Sequence, residues 1–505
     1  MSDVSRLERR LWVLATAAFL LAAAGDRVPL VRGPAPYPPE WQWPLREAPW
    51  TGPWWPAVLC AGGILGLLAA SASAPARARP RSSSRLLLLV GTVFGLAFPL
   101  ALVAGEGDGP LRTLFGRVAY RTATSYYTVA IAPEAADPFE FLRRHHELLP
   151  GFRKGAKHAA THPPGPVLVY RALLEVSERS PRLMRAVLRL AGLPESNPRR
   201  ARLEHPPAAR AAGVMGALLI LAGAVLTAWV VAGLAVALGC GALPAARLGL
   251  LWLLLPGPVL MLPQFDQFLA LLVSLATFAL LRALRPDAPR RGVGWSVAAG
   301  LLGGAATALS YGAPAFLAIG GISALCAARA RALTWAEGLR RCAVAGAVTF
   351  LTFLAPALAG HHPFASAREA LRIHREFFTE PRSYVLWLAF DPLDLAVFVG
   401  LPVALALLWG TVAAARRLVA HASLGVEEAF RLGAVAALAL LLLSGQTRGE
   451  VGRIWIPIMP LLLVAALARA PRAGAEGGPS AATALLIAAL LVPVDLALAA
   501  WWRFF

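Results

Sequence analysis

Apolar runs of roughly 16–25 residues recur along the whole chain, the length an α-helix needs to cross a bilayer. About thirteen can be marked: 11–25, 55–74, 86–104, 211–238, 248–263, 268–284, 294–309, 313–328, 341–359, 393–414, 430–445, 454–470 and 480–500. Of the 505 residues 58% are hydrophobic, and the mean hydropathy is +0.61. A soluble domain is excluded, because so much apolar surface has to face lipid. A membrane β-barrel would show short alternating segments, which are absent. The expected class is all-α: a polytopic transmembrane protein of about 13 spans with a long outer loop that carries interfacial helices.

The net charge of +20 is explained by topology and does not call for nucleic acid. Arginines gather in alternate short loops: Arg6, Arg9 and Arg10; Arg77, Arg79, Arg81 and Arg85; Arg282, Arg285, Arg290 and Arg291; Arg329, Arg331, Arg340 and Arg341; Arg416 and Arg417. The loops near Asp266 and Tyr311 hold none. The positive-inside rule then puts the N-terminus in the cytoplasm and the C-terminus outside. Run 11–25 resembles a signal peptide, but Asp26 and the bulky residues after it make a poor cleavage site, so a retained span is expected. Cys60, Cys240, Cys326 and Cys342 lie in or beside apolar runs, with no metal spacing and no disulfide framework.

Four outer segments remain: 26–54, 105–210, 360–392 and 446–453. The first holds Trp41, Trp43, Trp50, Trp54 and Trp55, expected at the headgroup level. The long one contains the polar stretch Asp137–Tyr170, dense in histidine and holding both lysines, Lys154 and Lys157. Beyond it, Arg182, Arg185 and Arg189 on one face, against Leu183, Val187 and Leu190, describe a basic amphipathic helix. Segment 164–176 is expected to dip into the membrane from outside. The chain divides into 1–85, two spans with a Pro/Trp-rich loop; 86–470, a catalytic membrane domain; and 471–505, a C-terminal span.

Ionisable groups at a membrane rim are candidates for function. Glu106 and Asp108 stand among glycines in AGEGDGP, as a general base or as solvated loop acids. Tyr126 and Tyr127 suit an interface or a sugar site. Asp137 reads as a helix cap before Pro138. His162, held extended by Pro163 and Pro164, can relay a proton or bind phosphate, or simply precede a helix. Lys154, Lys157 and Arg153 can neutralise a phosphate or meet anionic lipid. Asp266 suits a helix N-terminus. Arg448, Glu450 and Arg453 offer an acid between two cations, and an arginine left free can clamp a phosphate bidentately. Nucleotide-binding and H-E-x-x-H motifs are missing, so an activated donor would arrive in the lipid.

An apolar span, an outer loop with an early acid, Tyr126-Tyr127 followed by Ala130, then Thr161-His162-Pro163-Pro164 and an apolar helix resemble the GT-C fold glycosyltransferases. The style is that of the protein O-mannosyltransferase and aminoarabinose transferase families, which are glycosyltransferase family 39-like. His162-Pro163-Pro164 is similar to their re-entry element, Asp266 to an acid heading a later span, and Arg448–Pro457 to a late loop of bacterial members. Where those families place an acid beside the Tyr segment, this chain has Arg121 to Ser125. The resemblance, over about residues 86–470, implies transfer of a sugar from a polyprenyl-phosphate donor to a glycan, lipid or protein acceptor on the outer face of a bacterial plasma membrane. Inversion is implied, with no cofactor required and a divalent metal able to assist. Glu106 or Asp108 would be the base, with His162 shaping the site. Tyr126, Tyr127, Lys154, Lys157, Asp266, Arg448, Glu450 and Arg453 would bind substrate. A transporter or lipid flippase is the alternative and would place charges deep inside spans; a non-catalytic scaffold is the third reading.

Overall fold

Proline divides some of the apolar runs and not others: the helices over 80–104 and 481–501 continue through Pro99 and Pro493, whereas run 248–263 is interrupted before Pro256. The computed structural model describes residues 5–35, 40–47, 50–107, 109–120, 124–193, 205–287, 289–470 and 477–504, with no account of the Pro289 and Arg290 side chains. Asp108 and Arg121–Ala123 lie outside the described residues. The protein is 78% helix, and no strand occurs among the described residues.

In chain order the main helices are α1 (Arg6–Ala23), α2 (Trp55–Ala70), α3 (Pro80–Ala104), α4 (Pro110–Ala119), α5 (Pro138–Phe152), α6 (Gly165–Arg179), α7 (Pro181–Leu190) and α8 (Pro207–Ala237). Then come α9 (Ala242–Trp252), α10 (Phe265–Ala283), α11 (Pro289–Leu309), α12 (Ala313–Ala330), α13 (Trp335–Leu354) and α14 (Pro363–His374). The last are α15 (Tyr384–Val399), α16 (Leu401–Val419), α17 (Val426–Leu443), α18 (Met459–Leu467) and α19 (Ala481–Trp501).

Eight helices among the described residues are long and apolar enough to cross a membrane: α3, α8, α10, α11, α12, α13, α16 and α19. This makes the chain a multi-pass membrane protein, with fewer full-length spans than the apolar runs suggest. Run 248–263 stops at Trp252 and restarts at Pro256, since proline has no N–H to continue a helix. Run 454–470 opens as a 3₁₀ turn at Pro457 and continues as the nine-residue α18, with Pro460 in its first turn, too short to cross. Run 393–414 divides at Gly400, whose φ of +89° ends α15 before Pro402. Segment 164–176 falls in α6, whose 15 residues reach only about 22 Å, short of a ~30 Å hydrocarbon layer.

One apolar cluster runs from Trp12 through the bundle to Trp502, so 1–85 and 471–505 share the core of 86–470. The helix ends sort by character. At one end lie the arginine loops, where Arg331 donates to Ala237 O and Arg341 to Ala283 O, capping α8 and α10. At the other end lie the polar segments. There the Asp137 carboxylate accepts from Phe139 N (2.8 Å) and Glu140 N (3.1 Å), as a cap for α5. His361 donates through Nδ1 to Leu142 O (2.9 Å) and His145 Nδ1 lies 3.1 Å from Ser366 Oγ, which fixes α14 on α5. On α7 the buried residues are Val187 and Leu188; Leu183 and Leu190 are exposed along with Arg182, Arg185 and Arg189.

The tryptophans of 26–54 differ from the expected belt. Trp43 is buried and donates to Asp394 (2.7 Å), Trp41 lies under Arg382 (5.6 Å), and Trp50 stacks on Trp54 (4.2 Å). Only Trp54 and Trp55 are exposed. Residues 40–47 form a strap across the polar end. Leu45 bridges to Trp502, Arg46 N donates to Trp501 O (2.9 Å), and Arg503 N donates to Pro44 O (2.8 Å).

Candidate active site

Two broken runs meet at the polar end. A Cβ on Gly257 would come within 2.8 Å of Met459 Sδ and 3.3 Å of Gly452 O, so the segments around 257 and 452 approach closely. Irregular backbone at membrane depth is tolerated where it is buried in protein or lines a cavity. Here it presents Asp266 and Arg453. Gln267 Nε2 donates to Pro258 O (2.5 Å), and Gln267 Oε1 accepts from Gln264 N (2.9 Å). This fixes the turn that starts α10 with Asp266 in its first turn.

The 449–453 segment is more constrained. Gly449 (φ +84°) and Glu450 (φ +59°) both lie in the left-handed region, which a glutamate rarely adopts. Two carboxylates of α15 hold it there: Asp391 accepts from Gly449 N (3.0 Å) and Asp394 from Gly452 N (2.9 Å). Glu40 of the strap ties down the start of α15, accepting from Ser383 N (2.8 Å) and Trp387 Nε1 (2.7 Å). Glu450 then pairs with Arg382 (3.0 Å) and Arg453 (2.9 Å). Burial pushes the Glu450 carboxyl up, but Arg453 and Arg382 outweigh it and hold it below the ordinary glutamate value. Burial opposes the Arg453 charge, yet Glu450 and Asp266 raise its pKa. Arg453 Nε is buried without a hydrogen-bond partner among the described residues.

The third wall comes from 124–165. Ser125 (φ +57°) accepts from Ala159 N (2.9 Å) through Oγ, which joins the tyrosine turn to the histidine turn. Tyr126 sits edge-on to His162 (5.3 Å) and Phe265 (5.6 Å). Burial and the Asp266 charge push its phenol well above the ordinary value. His162 Nδ1 lies 2.9 Å from His158 O. A carbonyl oxygen only accepts, so Nδ1 carries the proton and Nε2 is left as an acceptor. Gly165, after the two prolines, is required by close approach: a Cβ there would lie 2.0 Å from Ala308 O.

Asp266, Tyr126, His158, His162, Glu450 and Arg453 therefore form one electrostatic cluster. Asp266, His158, His162 and Arg453 all keep partial solvent access. Among the described residues the Asp266 carboxylate forms no ion pair. Sequence reasoning selected five of the six. His158 went unremarked one helical turn before His162, and Arg382 was missed in an ordinary-looking Pro-Arg-Ser-Tyr.

The other sequence candidates stand elsewhere. Glu106 bonds Arg46 (2.6 Å) and Arg117 (2.7 Å). Burial raises its pKa, but Arg117 and Arg46 bring it below the ordinary value, which makes it a poor proton acceptor. Arg117 Nη1 also donates to Leu262 O (2.5 Å), so the triplet supports the turn behind Asp266. Arg448 is turned onto loop backbone, donating to Thr379 O (3.0 Å) and Arg382 O (2.7 Å) in the segment before α15 and to Gly445 O (3.1 Å) in its own loop. Tyr127 is core, packed on Phe115, Tyr170 and His205. Lys154 and Lys157 are exposed at the rim, the latter 5.0 Å above the Phe377 ring. Among the described residues no three His, Cys, Asp or Glu side chains are arranged to hold a metal ion.

Burial, then the facing positive charges, take His158 down to about 3 and His162 to about 4 from the ordinary 6.5. Burial and the neighbouring His361 and His146 take His145 to about 3. Below 6.5 the unfolded chain takes up protons that the folded protein refuses, so stability falls as pH drops from about 6.5 toward 4. The Tm in detergent is expected to be lower at about pH 5 than at about pH 7.5. The drop should shrink in His145→Asn; an unchanged slope would mean these histidines titrate normally.

Comparison with protein-family models, with curated proteins and with solved structures gives no match in any of the three.

Proposed function

We propose that this protein is an integral-membrane glycosyltransferase that moves a sugar from a polyprenyl-phosphate donor to an acceptor. The reading is carried by the polar cluster together with an apolar groove whose lining residue Tyr311 packs on the apolar group that includes Ala160, between His158 and His162. The groove, about 630 Å³, runs between α10, α11, α12 and α13 past Thr277, Ala318, Gly346 and Phe350 to Tyr311 and Leu371. Leu371 belongs to α14, whose last residue, His374, adds to the field at His158 and His162. An isoprenoid tail in the groove would bring its phosphate toward Arg453.

Asp266 takes the proton from the acceptor hydroxyl as its oxygen attacks the anomeric carbon, and His162 Nε2 orients the acceptor by accepting from a neighbouring hydroxyl. The bond from that carbon to the phosphate oxygen breaks, and the polyprenyl phosphate leaves with the electron pair. Arg453, kept charged by Glu450, stabilises the leaving oxygen, a role in which fixed cations contribute most. Attack opposite the leaving phosphate inverts the anomeric centre. An outer-facing site in a bacterial plasma membrane belongs to the same reading.

The test is transfer of radiolabelled sugar from polyprenyl-phosphate donors in proteoliposomes. A protein that consumes no such donor is not this enzyme. Gly346→Trp fills the groove where a side chain meets nothing within 4 Å. It is expected to raise KM about tenfold or more for a long-chain donor and far less for a two-isoprene donor. An equal response to both would remove the groove as the tail site.

One observation favours transport as the second reading. Asp495 lies in α19, fully buried, with neither oxygen hydrogen-bonded among the described residues. An unpaired carboxyl inside a span is what proton coupling uses. Proton-driven uptake that persists in Asp266→Asn and is lost in Asp495→Asn would favour that reading.

A further inference from the structure

The end of the bundle opposite Asp266 carries two kinds of arginine. One kind caps helix C-termini. Besides Arg331 and Arg341, Arg431 donates to Ala465 O (2.5 Å) and Arg247 to Ser71 O (3.0 Å). Arg85 and Arg282 do nothing of the sort. Among the described residues neither donates a hydrogen bond or joins an ion pair; Arg282 lies over Trp295 at 5.8 Å and feels the Asp287 charge without contacting it. Arg285 uses Nε and Nη2 on Asp287 (3.0 and 2.7 Å), which leaves Nη1.

These three line one cavity of about 390 Å³ between the ends of α3, α8, α9 and α10. Its wall is apolar, with Leu88, Trp229 and Phe278. Beside it α3 and α8 expose Leu89 (59%) and Val236 (52%), surfaces that lipid would cover. Three guanidiniums facing one carboxylate leave a positive surplus, and basic pockets between membrane helices suit phosphate headgroups. A small soluble anion would leave the apolar wall unused.

We propose that this cavity binds one anionic phospholipid. Arg85, Arg282 and the free Nη1 of Arg285 hold its phosphodiester, and an acyl chain lies against Leu88, Trp229 and Phe278. The site stands about 24 Å along α10 from Asp266, at Arg282, and is independent of the sugar-transfer reading.

The experiment is native mass spectrometry of the full-length protein released from nanodiscs holding equal phosphatidylglycerol and phosphatidylcholine with the same acyl chains. Wild type is expected to retain one phosphatidylglycerol in preference. Arg85→Gln is expected to weaken that preference about fivefold, and Arg85→Gln with Arg282→Gln further. Arg416→Gln, an exposed arginine elsewhere, should leave it unchanged. Arg85 is exposed, so the single variant decides the matter if the double variant does not fold. Equal retention of both lipids by wild type, or undiminished preference in Arg85→Gln, overturns the proposal. Inorganic phosphate that raises the Tm as much as phosphatidylglycerol does also overturns it, since the headgroup chemistry alone would then suffice.

Discussion

Asp266→Asn is expected to lower sugar transfer by about 10²–10⁴-fold, the usual loss when a positioned general base is removed. The change keeps the side chain's size and its place in the first turn of α10, so donor binding should stay near wild type. The loss should fall on kcat rather than KM. Glu106→Gln is the contrast. It weakens the pairing with Arg46 and Arg117 behind the Asp266 turn, so it should lower Tm more than it lowers kcat. The two variants assayed together at saturating donor decide between the acids. If Asp266→Asn transfers sugar normally and Glu106→Gln does not, the base has been misassigned.

The second large effect is on stability. Glu450→Ala leaves Arg382 and Arg453 facing each other without their shared acid. Removing one partner from a buried ion pair costs about 3–5 kcal/mol, because the remaining charge is buried uncompensated. Side-chain exposure of Glu450 and Arg382 is 9% each, so water can do little to screen them. Chemical denaturation in detergent should show the loss in Glu450→Ala and a smaller one in Glu450→Gln, which keeps an acceptor. Equal stability of all three proteins would mean that the triad does not hold the loop.

The helical membrane class was legible because lipid demands long apolar runs, and the chain supplies them. The breaks were not legible from proline alone: Pro256 and Pro457 each open a new helical segment, whereas Pro99 and Pro493 lie inside continuous helices. The candidate site was legible in part. His162, Asp266, Tyr126, Glu450 and Arg453 stand out as polar residues beside apolar runs. What each touches was not legible, because the partners are far apart in sequence: Arg382 lies 68 residues from Glu450, and Arg46 lies 60 from Glu106. Arg448 and Arg453 look alike in the sequence, yet the left-handed turn at Gly449 and Glu450 sends one onto the carbonyls of Thr379 and Arg382 and the other toward Asp266. Trp43 reads as a belt residue until Asp394 appears opposite its Nε1.

The strap has a consequence for how the protein is made. Arg46 donates through Nε to Ala499 O, across 453 residues, and Leu45 waits for Trp502. The same segment supplies Glu40 and Trp43, which steady α15 and through it the turn carrying Glu450. During synthesis residues 40–47 therefore leave the ribosome long before their anchor at 499–503 exists. A nascent chain that has inserted every helix up to α18 holds all six side chains of the polar cluster but lacks the tie that completes their setting. The setting of the polar cluster is therefore completed only once α19 is in place.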